Sequence, residues 1–176
     1  MRILTGDITE MKTDAIVNAA SPDLTPCEGI CSAIFRAADT AALTEACKKI
    51  GHCRIGKAVV TPSCGLPCKY IIHVAGAGWY SGRSNEKQLF ADCYKSALLK
   101  AVTYRCKSVA LPLMFSGSFN IPRAEALRIV FRIIKNTEKE CRNLEVSLVL
   151  YKKSIYNLAL KIFEESEKEV LRYEEY

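Results

Sequence analysis

Residues 14–38 read DAIVNAASPDLTPCEGICSAIFRAA, and the order of features within them indicates what kind of fold to expect. The first four residues form a short apolar run typical of a buried strand. The last nine place Ile30, Ala33, Ile34 and Ala37 on one face of a helix. A loop of small residues lies between them, so backbone N–H groups and a helix N-terminus follow a strand end. This arrangement can hold an anion.

The rest of the chain continues the alternation of strands and helices. Strands are predicted at 2–4, 57–61, 69–74, 108–113 and 144–150, and helices at 89–101, 127–134 and 154–171. Pro122 falls where the first turn of the helix at 127–134 would begin. This order predicts an α/β fold, a three-layer α/β/α sandwich with a mixed, mostly parallel central sheet. The turn CGLPC at 64–68 predicts an antiparallel hairpin at one sheet edge.

Length and composition limit the classes of protein to consider. The chain has 176 residues, 49% of them apolar, which is enough for one domain over residues 1–176 with a core that needs no metal. Its apolar runs are far shorter than the roughly 20 residues of a membrane span. The N-terminus lacks a secretory pattern, and nine cysteines are expected as reduced thiols. We therefore expect a cytoplasmic protein without membrane contact, and a monomer.

Charge gives a weaker indication of the ligand. The formal net charge is +6, and residues 164–176 are acidic, so the remainder is more basic than the chain as a whole. The basic residues are scattered and form no continuous run, which argues against a dedicated nucleic-acid surface. A moderately basic body still suits an anionic ligand.

A second loop rich in small residues, MFSGSFNIP at 114–122, follows the predicted strand 108–113. In open α/β sheets the ligand crevice lies outside the carboxyl ends of the strands, so this loop is expected to converge with the loop after residue 17. The usual nucleotide motifs are absent, because there is no GxxxxGK[ST] and GAGWYSG at 76–82 lacks the GxGxxG spacing. Rossmann and P-loop sites are therefore excluded.

Cysteines and histidines offer alternatives that we disfavour. Two CxxxC pairs, at 27 and 31 and at 64 and 68, have a spacing seen at zinc sites, but a chain of this length needs no structural metal. Cys31 could be a nucleophile at a helix N-terminus, although no base neighbours it in sequence and a packing role is preferred. His52 and His73 lack triad spacing and are expected to be structural. No metal and no cofactor are expected.

Four segments in order, GDIT at 6–9, VNAAS at 17–21, EGICSAIFRAA at 28–38 and SGSFNIP at 116–122, together resemble the macro domain family. HVAGAGW at 73–79 is also similar to a strand and turn of that family. The resemblance covers almost the whole chain, and it implies the macro domain fold and a site for ADP-ribose.

The resemblance also implies a role for each residue of the two loops. Asp7 would accept a hydrogen bond from the adenine amino group, the Ile8 backbone would meet the ring, and Asn18 would bind the distal ribose. The simpler alternatives are that Asp7 stabilises a turn, Asn18 caps the strand end and Phe119 anchors a loop. The diphosphate would lie between Glu28, Gly29, Ile30 and Cys31 on the first loop and Ser116, Gly117, Ser118 and Phe119 on the second, with Phe119 packed against the distal ribose.

The first loop departs from the common family pattern at four positions. Glu28 replaces a glycine and adds negative charge near the proposed diphosphate, while Cys31 replaces a frequent acidic residue. Phe35 replaces a histidine and Ser21 an asparagine. The loop looks more like the alphavirus type, whose members can still be hydrolases. These departures leave ligand binding possible and make the chemistry the open question.

Three functions follow from the resemblance. The leading one is hydrolysis of mono-ADP-ribose esters on acidic side chains of modified proteins, or of O-acetyl-ADP-ribose, with Asn18 and Phe119 positioning a water. The second is a reader that binds ADP-ribose without cleaving it. The third is a module for poly(ADP-ribose) or RNA. The lysine-dependent branch of the family is disfavoured because Lys12 lies in a different context.

Overall fold

A twisted sheet with helices on both faces accounts for the parts of the chain that the computed structural model describes, residues 1–76, 84–115, 121–137 and 140–174. The predicted alternation of strands and helices is confirmed, with boundaries that differ by one to three residues at most ends. In chain order the elements are β1 Arg2–Thr5, a 3-10 turn Ile8–Glu10, β2 Ala15–Ala20, α1 Ile30–Ala37, α2 Thr40–Ile50, β3 Ala58–Pro62, β4 Tyr70–Ala75, α3 Ser84–Thr103, β5 Ser108–Pro112, α4 Arg123–Asn136, β6 Glu145–Leu150 and α5 Lys153–Glu174.

The six described strands are ordered β1-β6-β5-β2-β4-β3. All neighbouring pairs are parallel except β3 and β4, which form the predicted antiparallel hairpin at the sheet edge. The five parallel strands therefore end at the same side of the molecule. Loops that follow those strand ends are brought together there, which is where the sequence predicts the site.

Two apolar clusters sandwich the sheet and confirm the three-layer prediction. Buried side chains of α3, α4 and α5 pack on one face together with Val17, Val109 and Leu148, whereas α1 and α2 cover the other face with Ile16 and Ala110. The division follows from strand geometry, because successive side chains point to opposite faces. The side chains of β2 that face α1 include the one polar residue of the strand, which matters for the site.

Helix α2 was not predicted from the sequence, and the buried face of α1 differs from the predicted one. Only Leu43 and Cys47 of α2 are buried, so its apolar period is too sparse to be seen. Its caps were visible signals, since the Asp39 side chain accepts from Ala42 N–H at 3.0 Å and Gly51 follows the last residue. In α1 the buried residues are Cys31, Ile34 and Phe35. Pro122 immediately precedes α4 rather than lying within its first turn.

Glycine at position 76 is required by an aromatic side chain. A Cβ atom at Gly76 would overlap the ring of Phe115, which is buried and lies just beyond the end of β5. The close approach joins the segments that follow β4 and β5, which lie on either side of β2 in the sheet. Gly76 thus serves close packing at the end of β4.

All nine cysteines are free thiols, and seven are buried. They are distributed over both apolar clusters, where they act as small hydrophobic residues. Among the described residues, no group of three or more His, Cys, Asp or Glu side chains is arranged to hold a metal ion. Within the same ranges, no helix combines the length and apolar character that crossing a bilayer requires.

Candidate functional site

A cleft of about 490 Å³ opens at the side of the molecule where the parallel strands end. It is bounded by the segment after β1, the start of α1, the ends of β5 and β6 and the starts of α4 and α5. Four predicted site residues line it, namely Asp7, Ile8, Gly29 and Ile30. Segments far apart in sequence thus meet in one cavity of a size suited to a small-molecule ligand.

Asp7 begins the 3-10 turn at the bottom of this cleft. One carboxylate oxygen, Oδ1, accepts from the backbone N–H of Thr9 at 2.9 Å and from its hydroxyl at 2.7 Å. Asp7 therefore does stabilise a turn, as the simpler alternative proposes. Within the described residues the other oxygen, Oδ2, has no hydrogen bond, so the carboxylate can also accept from a ligand. Ile8 is 5% exposed and gives the cleft an apolar wall.

The first loop enters α1 through Gly29, whose φ of +73° is strained for other residues. A Cβ there would contact nothing within 4 Å, so the glycine is needed for its backbone angle rather than for space. The N–H of Ala33 donates to the Gly29 carbonyl at 3.2 Å, and the N–H groups before it belong to the unpaired first turn. Glu28 is exposed and is absent from the lining of the cleft.

Three basic side chains that were not predicted as site residues also line the cleft. Arg36 lies on α1, Arg123 is the first residue of α4, and Lys152 directly precedes α5. The basic residues are scattered along the sequence, but the fold brings these three to one cavity. Arg123 and Lys152 stand at helix starts that follow strands, which was the available signal, whereas Arg36 lies in the last turn of α1. Ile30 and Ala33, expected on a packing face of α1, also line the cleft.

Asn18 lies below the start of α1, outside the lining of the cleft, and is fully buried on β2. The idea that it caps the strand end is wrong, because β2 continues to Ala20. Its amide Nδ2 is 3.1 Å from Nδ1 of His73, and the other ring nitrogen, Nε2, is 2.9 Å from the hydroxyl of Thr61. Within the described residues its Oδ1 is buried without a hydrogen-bond partner. A buried acceptor of this kind needs a donor from outside.

Cys31 contacts Asn18 from the first turn of α1. Its Sγ accepts from the Cys27 N–H at 3.3 Å and lies 3.8 Å from Nδ2 of Asn18. A hydrogen bond from the Cys27 thiol, supported by these two N–H donors, lowers the pKa of Cys31 although burial opposes the shift, and the same bond raises the pKa of Cys27. Cys31 is fully buried, so the packing and contact role is the one seen.

The second predicted loop, with Ser116, Gly117, Ser118 and Phe119, lies outside the described residues. Its flanking positions are described: Leu113 and Arg123 both line the cleft. The assigned roles of the four loop residues stay predictions.

Known proteins resemble this chain over most of its length. The sequence profile of the Macro domain family matches residues 17–130. An O-acetyl-ADP-ribose deacetylase of Salmonella gallinarum is 39% identical over 140 residues, which is 77% of this chain and 78% of that protein. A macro domain-containing protein of Lactiplantibacillus plantarum is 39% identical over 137 residues, 78% of this chain and 79% of that protein.

Solved structures with nucleotide ligands have the same fold. The Oceanobacillus iheyensis macrodomain with ADP superposes with a TM-score of 0.89 at 28% identity, covering 95% of this chain and 91% of that one. The Trypanosoma brucei macrodomain in complex with ADP-ribose gives a TM-score of 0.82 at 25% identity, covering 90% of this chain and 67% of that one. The two ligands share an adenosine diphosphate group.

Proposed function

The chain belongs to the macro domain family, and we propose that it binds ADP-ribose in the cleft and hydrolyses an ester of that ligand. The substrate class is O-acetyl-ADP-ribose or ADP-ribose linked to acidic side chains of proteins. The observation that carries the proposal is the unpartnered, buried Oδ1 of Asn18 beside a cleft lined by Asp7, Gly29 and Ile30. The relatives named for ADP-ribose chemistry or bound to its nucleotide support the same ligand.

The cleft offers a suitable surface for each part of the nucleotide. The free oxygen of Asp7 accepts from the adenine amino group, and Ile8 packs against the ring. The diphosphate lies near Gly29, where the first-turn amides of α1 point outward and the helix dipole favours negative charge. Arg36 and Arg123 add positive charge from two walls of the cleft. The exposed Glu28 stays away from the lining and costs little affinity.

Asn18 supplies the group that acts on the distal ribose. Its Oδ1 accepts a hydrogen bond from a ribose hydroxyl or from the water that attacks the ester, which satisfies an acceptor otherwise buried alone. Holding the water and the reacting carbon in one geometry supplies much of the rate enhancement without a strong protein base. Phe119 would pack against the ribose from the second loop. In the ester on an acidic side chain, the water oxygen bonds to the anomeric carbon, the carboxylate leaves, and the proton lost by the water passes to the released carboxylate or to a phosphate oxygen of the ligand. In O-acetyl-ADP-ribose, the water oxygen bonds to the acetyl carbon, and the ribose oxygen leaves and takes the proton.

The decisive experiment measures release of ADP-ribose from a protein mono-ADP-ribosylated on glutamate, and of acetate from O-acetyl-ADP-ribose. Wild type should release product, and Asn18→Ala should lower turnover about a hundredfold or more but ADP-ribose affinity only about tenfold. Asn157→Ala, on the exposed face of α5, is the matched control and should behave as wild type.

Two other outcomes assign the alternative functions. Tight ADP-ribose binding without release of either product makes the protein a reader. The first variant to test is then one in which Cys31 is replaced by the acidic residue frequent at that position in the family. Binding of RNA or poly(ADP-ribose) that falls steeply with added salt, and exceeds binding of ADP-ribose itself, favours the third function and contradicts the proposal.

A further inference from the structure

A row of buried polar side chains crosses the sheet behind the candidate site. Thr61 on β3, His73 on β4 and Asn18 on β2 lie on neighbouring strands, and Cys31 continues the row onto α1. The three strand residues are 2%, 0% and 0% exposed, respectively. The joining distances are 2.9 Å from Thr61 Oγ1 to His73 Nε2, 3.1 Å from His73 Nδ1 to Asn18 Nδ2, and 3.8 Å from Nδ2 to Cys31 Sγ.

The hydrogen-bonding capacity of these groups permits two arrangements. In the first, His73 carries its proton on Nε2 and donates it to Thr61, so Nδ1 accepts from the Asn18 amide. In the second, the proton is on Nδ1 and the amide is reversed, with Oδ1 facing the ring and the NH₂ group facing the ligand. The two arrangements present opposite polarity to the ligand, an acceptor in the first and donors in the second.

Counting partners for the Asn18 amide selects the first arrangement. Its NH₂ group has two hydrogens, and two acceptors flank the nitrogen, His73 Nδ1 and Cys31 Sγ. Only Oδ1 is then left without a partner among the described residues. In the reversed arrangement two buried N–H donors would lack that pair of acceptors, and leaving buried donors unpaired is unfavourable.

We propose that Thr61 and His73 are positioning residues that hold the Asn18 amide with Oδ1 toward the ligand, so that the site selects ligands that offer a hydroxyl there. This inference rests on the proposed function and deepens it. The Thr61 hydroxyl accepts a hydrogen bond from Nε2–H, which leaves Nδ1 unprotonated and able to accept from Asn18. A ribose with a free hydroxyl can donate to this unpartnered acceptor, whereas a phosphate or carboxylate at the same place would set one acceptor against another.

Burial keeps the row in this state at neutral pH. Desolvation lowers the pKa of His73 to about 4, so the ring is neutral and Nδ1 retains its lone pair. The neutral imidazole therefore accepts from the Asn18 amide at Nδ1 and donates to the Thr61 hydroxyl from Nε2, and it does not act as an acid or a base.

The first test reads the tautomer directly on the ligand-free protein. Nitrogen-15 NMR of histidine-labelled protein distinguishes a ring protonated at Nε2 from one protonated at Nδ1, and His52→Gln assigns the two rings. We expect His73 to be protonated at Nε2 alone. A ring protonated at Nδ1 would overturn the proposal whatever the protein binds.

The second test changes only the remote hydroxyl. Thr61→Val keeps the shape but removes the acceptor for Nε2–H, so the proton should move to Nδ1 and the amide should reverse. Affinity for ADP-ribose should fall about tenfold, whereas affinity for ADP, which lacks the distal ribose, should change less than about twofold. Thr61→Ser retains a hydroxyl and should restore wild-type affinity and the Nε2 tautomer.

The outcomes separate this inference from the proposed function. Equal weakening of ADP and ADP-ribose in Thr61→Val, or equal effects of valine and serine, would assign Thr61 a merely structural role and overturn the inference. If wild type binds neither nucleotide, the proposed function fails, and the histidine tautomer alone then decides whether the row fixes the amide. A valine variant that does not fold leaves the wild-type tautomer as the deciding measurement.

Discussion

Acid should destabilise this protein through His73 before its carboxylates are protonated. The ring is fully buried, and desolvation lowers its pKa to about 4 from the ordinary value near 6.5. The unfolded chain then binds the histidine proton more readily than the folded one, so stability is complete above pH 6.5 and is lost as pH falls toward 4. The two pKa values give a loss of about 2 kcal/mol at pH 5 and about 3 kcal/mol at pH 4.

Urea unfolding at about pH 7.5 and pH 5 measures this loss. Between these pH values wild type should lose about 2 kcal/mol more than His73→Gln, which has no titrating ring. Cys31, with its lowered pKa, contributes its own pH dependence, but it is present in both proteins and cancels in the difference. His52→Gln removes the exposed histidine and should keep the wild-type loss. Equal losses in wild type and His73→Gln would refute the reasoning.

Three further predictions concern the cleft and the strand ends. Asp7→Ala should weaken ADP-ribose about tenfold but leave ribose phosphate nearly unchanged in calorimetric titrations, and equal weakening would contradict the adenine assignment. Arg123→Gln should weaken ADP-ribose about three- to fivefold at low salt and less at high salt, whereas Arg128→Gln on the same helix should not. Gly76→Ala should cost about 1–3 kcal/mol in thermal unfolding because its methyl group overlaps Phe115, and adding Phe115→Leu should recover part of that loss.

The sequence predicted the architecture because its strongest patterns are local. The apolar run in residues 14–17, the small-residue loop and the following helix are one continuous unit, and each part is recognisable alone. Helix α2 was not predicted because only Leu43 and Cys47 are buried, and two residues give too weak an apolar periodicity. Its caps, Asp39 and Gly51, were the stronger signal.

The candidate site was predicted only where it depends on short segments. Asp7, Gly29 and Ile30 belong to such segments, and the structure brings them to one cleft. The contacts of Asn18 could not be foreseen, because they depend on the register of three strands that places Thr61 and His73 beside it. The convergence of basic side chains on the cleft likewise depends on how the helices are arranged around the sheet.

The buried thiols of the core can report which layer of the molecule opens more often. Cys47 and Cys68 lie in the cluster under α1 and α2, whereas Cys93 and Cys141 lie in the cluster under α3, α4 and α5. A bulky alkylating reagent reaches either set only when the covering helices separate from the sheet. Mass spectrometry of briefly alkylated protein would therefore rank the two layers by how often each opens, with no engineered probe.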